Sequence, residues 1–221
     1  MTVFDILVKY QQAFADGLCV SFQMCLIIWA SGILIGSLLG VVAARWPVYL
    51  GIPTRIIGFI LSGMPMLVFL FWLHYPLQSL LGIVVDPFIT AVVTISIINI
   101  FAVSEVVRIA LRDFPAQYVI AAKVCGISAF HTVLYVQLPI VLRQTLPSLL
   151  MIQVAMLQAT LFASLISVNE IFRVAQQINS VIYKPVEIYT ALGILFLAIC
   201  LPMNGLAMWM RKQFTRDYSE Q

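Results

Sequence analysis

Few residues of this sequence have side chains and spacing that could carry out a reaction. The sequence contains no Ser/His/Asp set, no HExxH zinc motif and no glycine-rich loop of the kind that holds phosphates. The four cysteines form no CxxC pair, lie away from histidines at metal-binding spacing, and are interpreted as small apolar residues (Cys19, Cys25, Cys125 and Cys200). We therefore expect no catalytic site, no metal site and no cofactor bound by this chain.

The polar groups that stand out lie inside apolar stretches. Gln153, Thr160 and Ser164 are spaced by seven and four residues, which places them on one face of a helix, and Gln158 lies between them. One polar stripe in an otherwise apolar helix fits either a solute pathway or hydrogen bonds between helices. The sequence leaves both interpretations open.

Glu105 is the acid that lies within an apolar stretch. Arg108 follows three residues later and Arg112 follows after seven, so an ion pair can form on one helix face. A proton relay would need a second acid within such a stretch, and the sequence has none. We therefore interpret Glu105 and Arg108 as a structural ion pair.

The composition places these residues in a membrane. Apolar residues make up 62% of the 221 residues and charged residues only 10%, with a mean hydropathy of +1.05, whereas soluble domains are about 25% charged. A net charge of +3 is far from the balance of a nucleic-acid-binding protein. The sequence therefore predicts an all-α integral membrane protein.

Five segments are apolar enough to span a membrane, which requires about 20 residues. They cover approximately residues 18–44, 56–75, 87–107, 144–167 and 188–210. The connections on one side contain nine basic residues, and those on the other contain three. Because basic residues concentrate on the cytoplasmic side, we expect the N-terminus outside and the C-terminus inside. Residues 1–221 then form a single transmembrane domain with a long cytoplasmic connection at 108–143.

The first residues have an amphipathic pattern. Val3, Leu7, Tyr10 and Phe14 share one helical face, and the stretch contains no short apolar core before a cleavage site. We expect a helix lying on the membrane surface rather than a secretory signal.

Three glycines in the first span are spaced four residues apart. Gly32, Gly36 and Gly40 form one stripe where another backbone can approach closely. The stripe predicts tight helix packing, either within the chain or across a dimer.

The second span is interrupted by the sequence SGMP, which ends at Pro65. Proline removes a backbone hydrogen bond and would free the carbonyl of Leu61. In a membrane such a break is tolerated against protein or a water-lined cavity. A simple kink and a role in lining a solute path both fit.

The cytoplasmic connection contains signals for two helices. Pro115 suits a first turn, Gly126 suits the position after the last turn, and Ser128 can cap a following helix. Ala121, Ala122 and Cys125 are small and lie on or near one face, which would let a partner hold this helix deeply in a groove.

This stretch resembles the EAA loop of permease subunits of binding-protein-dependent ABC importers. The resemblance lies in AAKVCG and QLP, in which Gly126 and Pro139 are thirteen residues apart. Four further segments are similar to those of the polar amino acid (histidine, arginine, glutamine) branch of this family. They are GLCVSFQMCLIIWASGILIGSLLG, SGMPMLVFLFWL, SEVVRIAL and MLQATLFASLISVNEIFRVAQ. By this resemblance, the helix that couples to the ATPase includes Ala121, Ala122, Lys123, Cys125, Gly126, Leu138 and Pro139.

The sequence also departs from that family. Ile120 replaces the glutamate of the EAA motif, and Gln158 and Ala159 replace a usual lysine and aspartate. The stretch INIFA replaces a common Asn-Ser-Gly-Ala-Tyr. An acid missing from the fourth span removes the natural partner of a cationic solute. Either a second, different permease subunit supplies that acid, which we favour, or the solute is not a cationic amino acid.

The resemblance implies the type I ABC importer permease fold (MetI-like) in a bacterial inner membrane. It implies a second permease subunit, a cytoplasmic ATPase dimer that binds ATP and Mg, and an extracytoplasmic solute-binding protein. The solute, a polar amino acid, would cross by alternating access, with the best candidates for its path being Pro65, Gln153, Gln158, Thr160 and Ser164.

Two other classes of protein fit the sequence less well. A gated channel or structural membrane subunit without an ATPase would leave the 108–143 connection without its implied role. A membrane-embedded enzyme would need a nucleophile or paired acids within the spans, and the sequence provides neither.

Overall fold

The computed structural model describes residues 3–219, and this part of the chain is helical without strands. The side chains of Val3 and Arg216, which entered the patterns above, lie outside the described part. The helices are α1 (Val3–Lys9), α2 (Gln11–Arg45), α3 (Pro47–Gly63), α4 (Met66–Leu81), α5 (Pro87–Arg112), α6 (Ala116–Val124), α7 (Ala129–Ile166), α8 (Ile171–Ile182) and α9 (Pro185–Ser219).

Four helices in the described part are long and apolar enough to cross a membrane, namely α2, α5, α7 and α9. The segment predicted as a single span at 56–75 consists instead of parts of α3 and α4, which meet at 99°. The predicted connection at 108–143 is also largely helical, because α5 continues to Arg112 and α7 already begins at Ala129. With 38 residues, α7 is about 57 Å long, well beyond the roughly 30 Å of a bilayer core.

Helix α5 lies at the centre and packs against α2, α3, α4 and α7. The main apolar core forms where α2, α4, α5 and α7 meet, and it includes Met24, Leu70, Ile95 and Met156. Many other apolar side chains of these helices, above all of α2, face outward, as expected where the solvent is lipid.

The glycine stripe of α2 packs against α5 within the chain. A Cβ at Gly36 would lie 2.7 Å from the carbonyl oxygen of Ile100, and one at Gly40 would lie 2.6 Å from that of Ser104. Gly32 lies directly against the side chain of Asn99. Of the two alternatives left by the sequence, the structure therefore shows packing within one chain.

The amphipathic helix predicted near the N-terminus is not continuous. The chain forms two helices that meet at Tyr10, so the predicted face is split. Phe14 of the predicted apolar face and the neighbouring Ile6 are buried against α8 and the start of α9, whereas Leu7 of that face is exposed. The polar side, with Lys9 and Asp16, is exposed as predicted.

Glu170 fixes the start of α8 against α2. Its two carboxylate oxygens accept hydrogen bonds from the backbone N–H groups of Phe172 (2.9 Å) and Arg173 (2.8 Å), an N-terminal cap. The neighbouring N–H of Ile171 donates to the hydroxyl of Ser21 at 3.2 Å. Burial raises the pKa of Glu170 to about 7, although these N–H groups and Ser21 act to lower it.

Replacing Gly36 with alanine should destabilise the protein by roughly 1–3 kcal/mol, because the new methyl group overlaps the backbone of α5. The control is Gly205→Ala, where a Cβ meets nothing within 4 Å and a helical alanine should be neutral or stabilise by about 0.5–1 kcal/mol. Thermal unfolding of the purified protein in detergent measures both. Equal effects of the two substitutions would contradict the packing described here.

Glu170 should make stability depend on pH. Its folded-state pKa lies above the ordinary value of 4.5, so its protonated form favours the fold. This contribution is present below about pH 4.5 and is lost as the pH rises through about 7. The unfolding temperature should therefore fall between about pH 5 and about pH 8, and Glu170→Gln should reduce that fall. An unchanged pH profile in the variant would contradict the assignment.

Candidate functional site

The predicted helix of the 108–143 connection is present with the predicted ends. Helix α6 is preceded by Pro115 and closed by Gly126, whose φ of 75° is left-handed and favours glycine. The N–H of Gly126 donates to the carbonyl of Lys123 (3.1 Å), and the N–H of Ile127 donates to that of Ala122 (3.0 Å). These two bonds form a Schellman motif, which ends the helix sharply.

Ser128 caps the N-terminus of α7, which begins at the next residue. Its hydroxyl lies 2.7 Å from Nδ1 of His131 and accepts a 3.4 Å hydrogen bond from the His131 N–H. The His131 ring stacks on Tyr135. Helix α6, the tight turn at Gly126 and helix α7 therefore follow one another directly, without a linker between them.

The residues assigned to ATPase coupling do not all lie on one surface. Ala122 is buried against the rest of the chain, which corrects the prediction that it shares an accessible face with Ala121 and Cys125. The outward face of α6 instead carries Ile120 (61% exposed) and Val124 (83% exposed). The remaining assigned residues are also exposed, namely Ala121, Lys123, Cys125, Gly126, Leu138 and Pro139.

The polar stripe of α7 lies in the protein interior. Gln153 exchanges hydrogen bonds with Asn99 of α5, with donor to acceptor distances of 3.0 and 3.2 Å. Asn99 also donates to the carbonyl of Ile28 in α2 at 2.8 Å, and the Trp29 indole donates to the carbonyl of Gln153 at 3.0 Å. One amide pair thus joins three helices.

The other candidates for the solute path differ in exposure. Thr160 and Ser164 are fully buried, and their hydroxyls donate to carbonyls one turn earlier in the same helix. Gln158 and Pro65 are exposed. The structure therefore brings Gln153, Thr160 and Ser164 to the buried face of α7 and leaves Gln158 on its accessible face.

The break between α3 and α4 is sharper than a kink. Helix α3 ends at Gly63, Met64 and Pro65 are extended, and α4 begins at Met66. The carbonyl of Leu61 is not free as predicted, because it accepts a 3.4 Å hydrogen bond from the N–H of Met64.

A cavity of about 390 Å³ lies between α3 and α5 beside this break. Its lining includes Ser62, Arg55 and Glu105. Glu105 forms the predicted pair with Arg108, through bonds of 2.9 Å to Nε and 2.6 Å to Nη2.

Sequence reasoning missed Asn99 and Arg55 as members of this site. Asn99 lies in the INIFA stretch, which was noted only for its difference from the family. An amide in an apolar span is itself a signal, since it needs a partner there. Arg55 was used only as a marker of membrane orientation.

These elements, a bundle of apolar helices with one broken crossing and an exposed helix and turn, define a multi-pass membrane protein. Residues 32–216 match the model of a protein family described as the binding-protein-dependent transport system inner membrane component. The chain belongs to this family, whose members are permease subunits of ABC importers in the inner membrane. The ATPase of such importers is a separate subunit, and the permease is not itself an enzyme.

Two relatives and one solved structure illustrate the likeness. The octopine transport system permease protein OccM of Rhizobium meliloti is 31% identical over 174 residues, 75% of this chain and 69% of the relative. The glutamine transport system permease protein GlnP of Escherichia coli strain K12 is 29% identical over 146 residues, 66% of this chain and 67% of the relative. The fold matches a crystal structure of an amino acid ABC transporter with histidines, with a TM-score of 0.83, 21% identity and coverage of 95% of this chain and 98% of the other.

Proposed function

We propose that this permease subunit carries polar amino acids into the cell. The observation behind this proposal is the family match over residues 32–216 together with a relative named for glutamine transport. Helix α7 contains no acidic residue, so this subunit by itself favours a solute without a cationic side chain.

In this proposal the chain crosses the membrane five times, with α3 and α4 together forming one broken crossing. The N-terminus lies outside and the C-terminus inside, as the excess of basic residues favours. A break of this kind is stable when it faces protein or a water-filled cavity rather than lipid. Discontinuous helices of this type commonly line solute sites in transporters.

A second permease subunit completes the path, and we favour a different subunit over a second copy. For a cationic solute, such a partner would supply the acid that this chain lacks at Ala159. An extracytoplasmic binding protein delivers the solute, and ATP and Mg are bound by the cytoplasmic ATPase dimer. Exposed Pro65 and Gln158 are the residues proposed to meet the solute, while Gln153, Thr160 and Ser164 support the path from behind.

Helix α6 is proposed as the element that docks in the ATPase. Its outward residues, among them Ala121 and Val124, are accessible, while buried Ala122 anchors it to the permease. The turn at Gly126 joins α6 directly to α7, which is continuous to Ile166. Movement of the ATPase upon ATP binding can thus pass into a spanning helix and drive alternating access by rigid-body rotation.

The docking role can be tested at Gly126. Gly126→Arg should lower ATPase copurification and binding-protein-dependent uptake by about tenfold or more, because a loss of about 1.4 kcal/mol at the interface is sufficient. Gly126→Asn is the matched control, since asparagine tolerates a left-handed φ without adding charge or much bulk. Copurification is measured from detergent extracts with equal amounts of inserted protein.

Normal copurification of the ATPase with Gly126→Arg would contradict docking through α6. If the unmodified chain never brings down an ATPase, the importer itself is contradicted and the gated channel or structural subunit becomes the better account.

A further inference from the structure

The cavity between α3 and α5 has the size and lining of a small-molecule site. Its volume of about 390 Å³ falls within the range of roughly 300–1,000 Å³ typical of ligand pockets. Most of the wall is apolar and includes the rings of Phe59 and Phe101. Ser62, which also lines the cavity, lies near the end of α3, three residues before Pro65.

Two side chains of opposite charge line this otherwise apolar cavity. Arg55 lies on the α3 wall and Glu105 on the α5 wall. Within the described residues, no hydrogen bond or ion pair holds the exposed guanidinium of Arg55. Its charge attracts the Glu105 carboxylate from beyond ion-pair distance, and its hydrogen-bond donors are available to an anionic group.

Arg108 holds Glu105 in position without covering it. The side chain of Arg108 is only 11% exposed, whereas that of Glu105 is 39% exposed. Arg108 thus lies behind the carboxylate and donates one hydrogen bond to each oxygen. Each carboxylate oxygen has a second lone pair, which can accept from a ligand in the cavity.

We propose that this cavity binds a zwitterionic amino acid with an uncharged side chain. The solute carboxylate binds Arg55, its ammonium group binds Glu105, and its side chain lies against Phe59 and Phe101. This inference rests on the proposed function, and it places a solute site at the arginine-rich end of the broken crossing. Glu105 is then a binding residue and Arg108 its positioning residue.

Other occupants fit the lining less well. An anionic phospholipid could place an acyl chain along the apolar wall, but its phosphate would be repelled by the Glu105 carboxylate. A solute with a charged side chain would bring a third charge against apolar walls, where an unpaired charge is costly.

The proposal is tested by equilibrium binding to the purified complex of this chain with its permease partner and ATPase, in nanodiscs and without binding protein. The probe is a radiolabelled mixture of the common L-amino acids. Unlabelled amino acids should compete with it. Their N-acetyl derivatives, which lack the ammonium group, and their methyl esters, which lack the carboxylate, should not compete.

Arg55→Gln should weaken binding by about tenfold or more, as expected when a hydrogen bond to a charged group is lost. Gly58→Leu should have a similar effect by filling the cavity. A Cβ at Gly58 has only an ordinary contact of 4.0 Å with Phe101, so this substitution should not disturb the backbone. Gly205→Leu, at a glycine with open space around it, is the control and should bind normally.

Normal binding and uptake by both Arg55→Gln and Gly58→Leu would overturn this site while leaving the proposed importer intact. Competition by N-acetyl derivatives as strong as that by free amino acids would overturn the role of Glu105. A phospholipid that mass spectrometry finds retained in an Arg55-dependent manner would overturn the amino-acid assignment. Absence of the ATPase from the unmodified complex would contradict the proposed function and this site with it.

Discussion

The structure depends on the satisfaction of one amide pair in the apolar interior. In a bilayer, polar groups have no water to bond with, and each unsatisfied group is costly. Asn99 and Gln153 bond to each other, and Asn99 also bonds to the backbone of α2. This arrangement requires α2 to come very close to α5, which is possible because Gly32 has no side chain there. The packing of α5 against α2 and α7 is thereby held in register.

This fixed frame determines where movement can occur. Helices α2, α5 and α7 are joined by buried polar bonds and close glycine contacts, whereas the crossing formed by α3 and α4 is interrupted at Met64 and Pro65. The cavity lies between the fixed helix α5 and the interrupted one. Because α7 continues directly from the turn after α6, a force applied at α6 reaches the frame as a whole. We infer that the frame moves as a unit and that the gap beside α3 changes with it.

The sequence predicted those features that local chemistry decides. Proline and glycine at the ends of α6, and the serine before α7, act on their own backbone, so their positions were sufficient. Features that depend on distant residues were harder to predict. The glycine stripe that includes Gly36 predicted close helix packing but not which helix packs there. The 99° angle between α3 and α4 at Pro65 depends on the helices around it. The pattern at the N-terminus predicted an apolar face but not the packing of Phe14 against α8, because an apolar face looks the same whether it meets lipid or protein.

The most direct test of the account is whether the gap beside the broken crossing opens and closes with ATP. After replacement of the four native cysteines by alanine, a Ser62→Cys variant of the complex is labelled in inside-out vesicles with a membrane-impermeant thiol reagent. A Tyr49→Cys variant is the reference, because Tyr49 is 83% exposed at the start of α3. The account predicts rapid labelling at position 62 without nucleotide, labelling slowed by about tenfold when a non-hydrolysable ATP analogue is bound, and no change at position 49. Equal labelling of position 62 in both states would contradict the claim that this crossing lines an ATP-gated path.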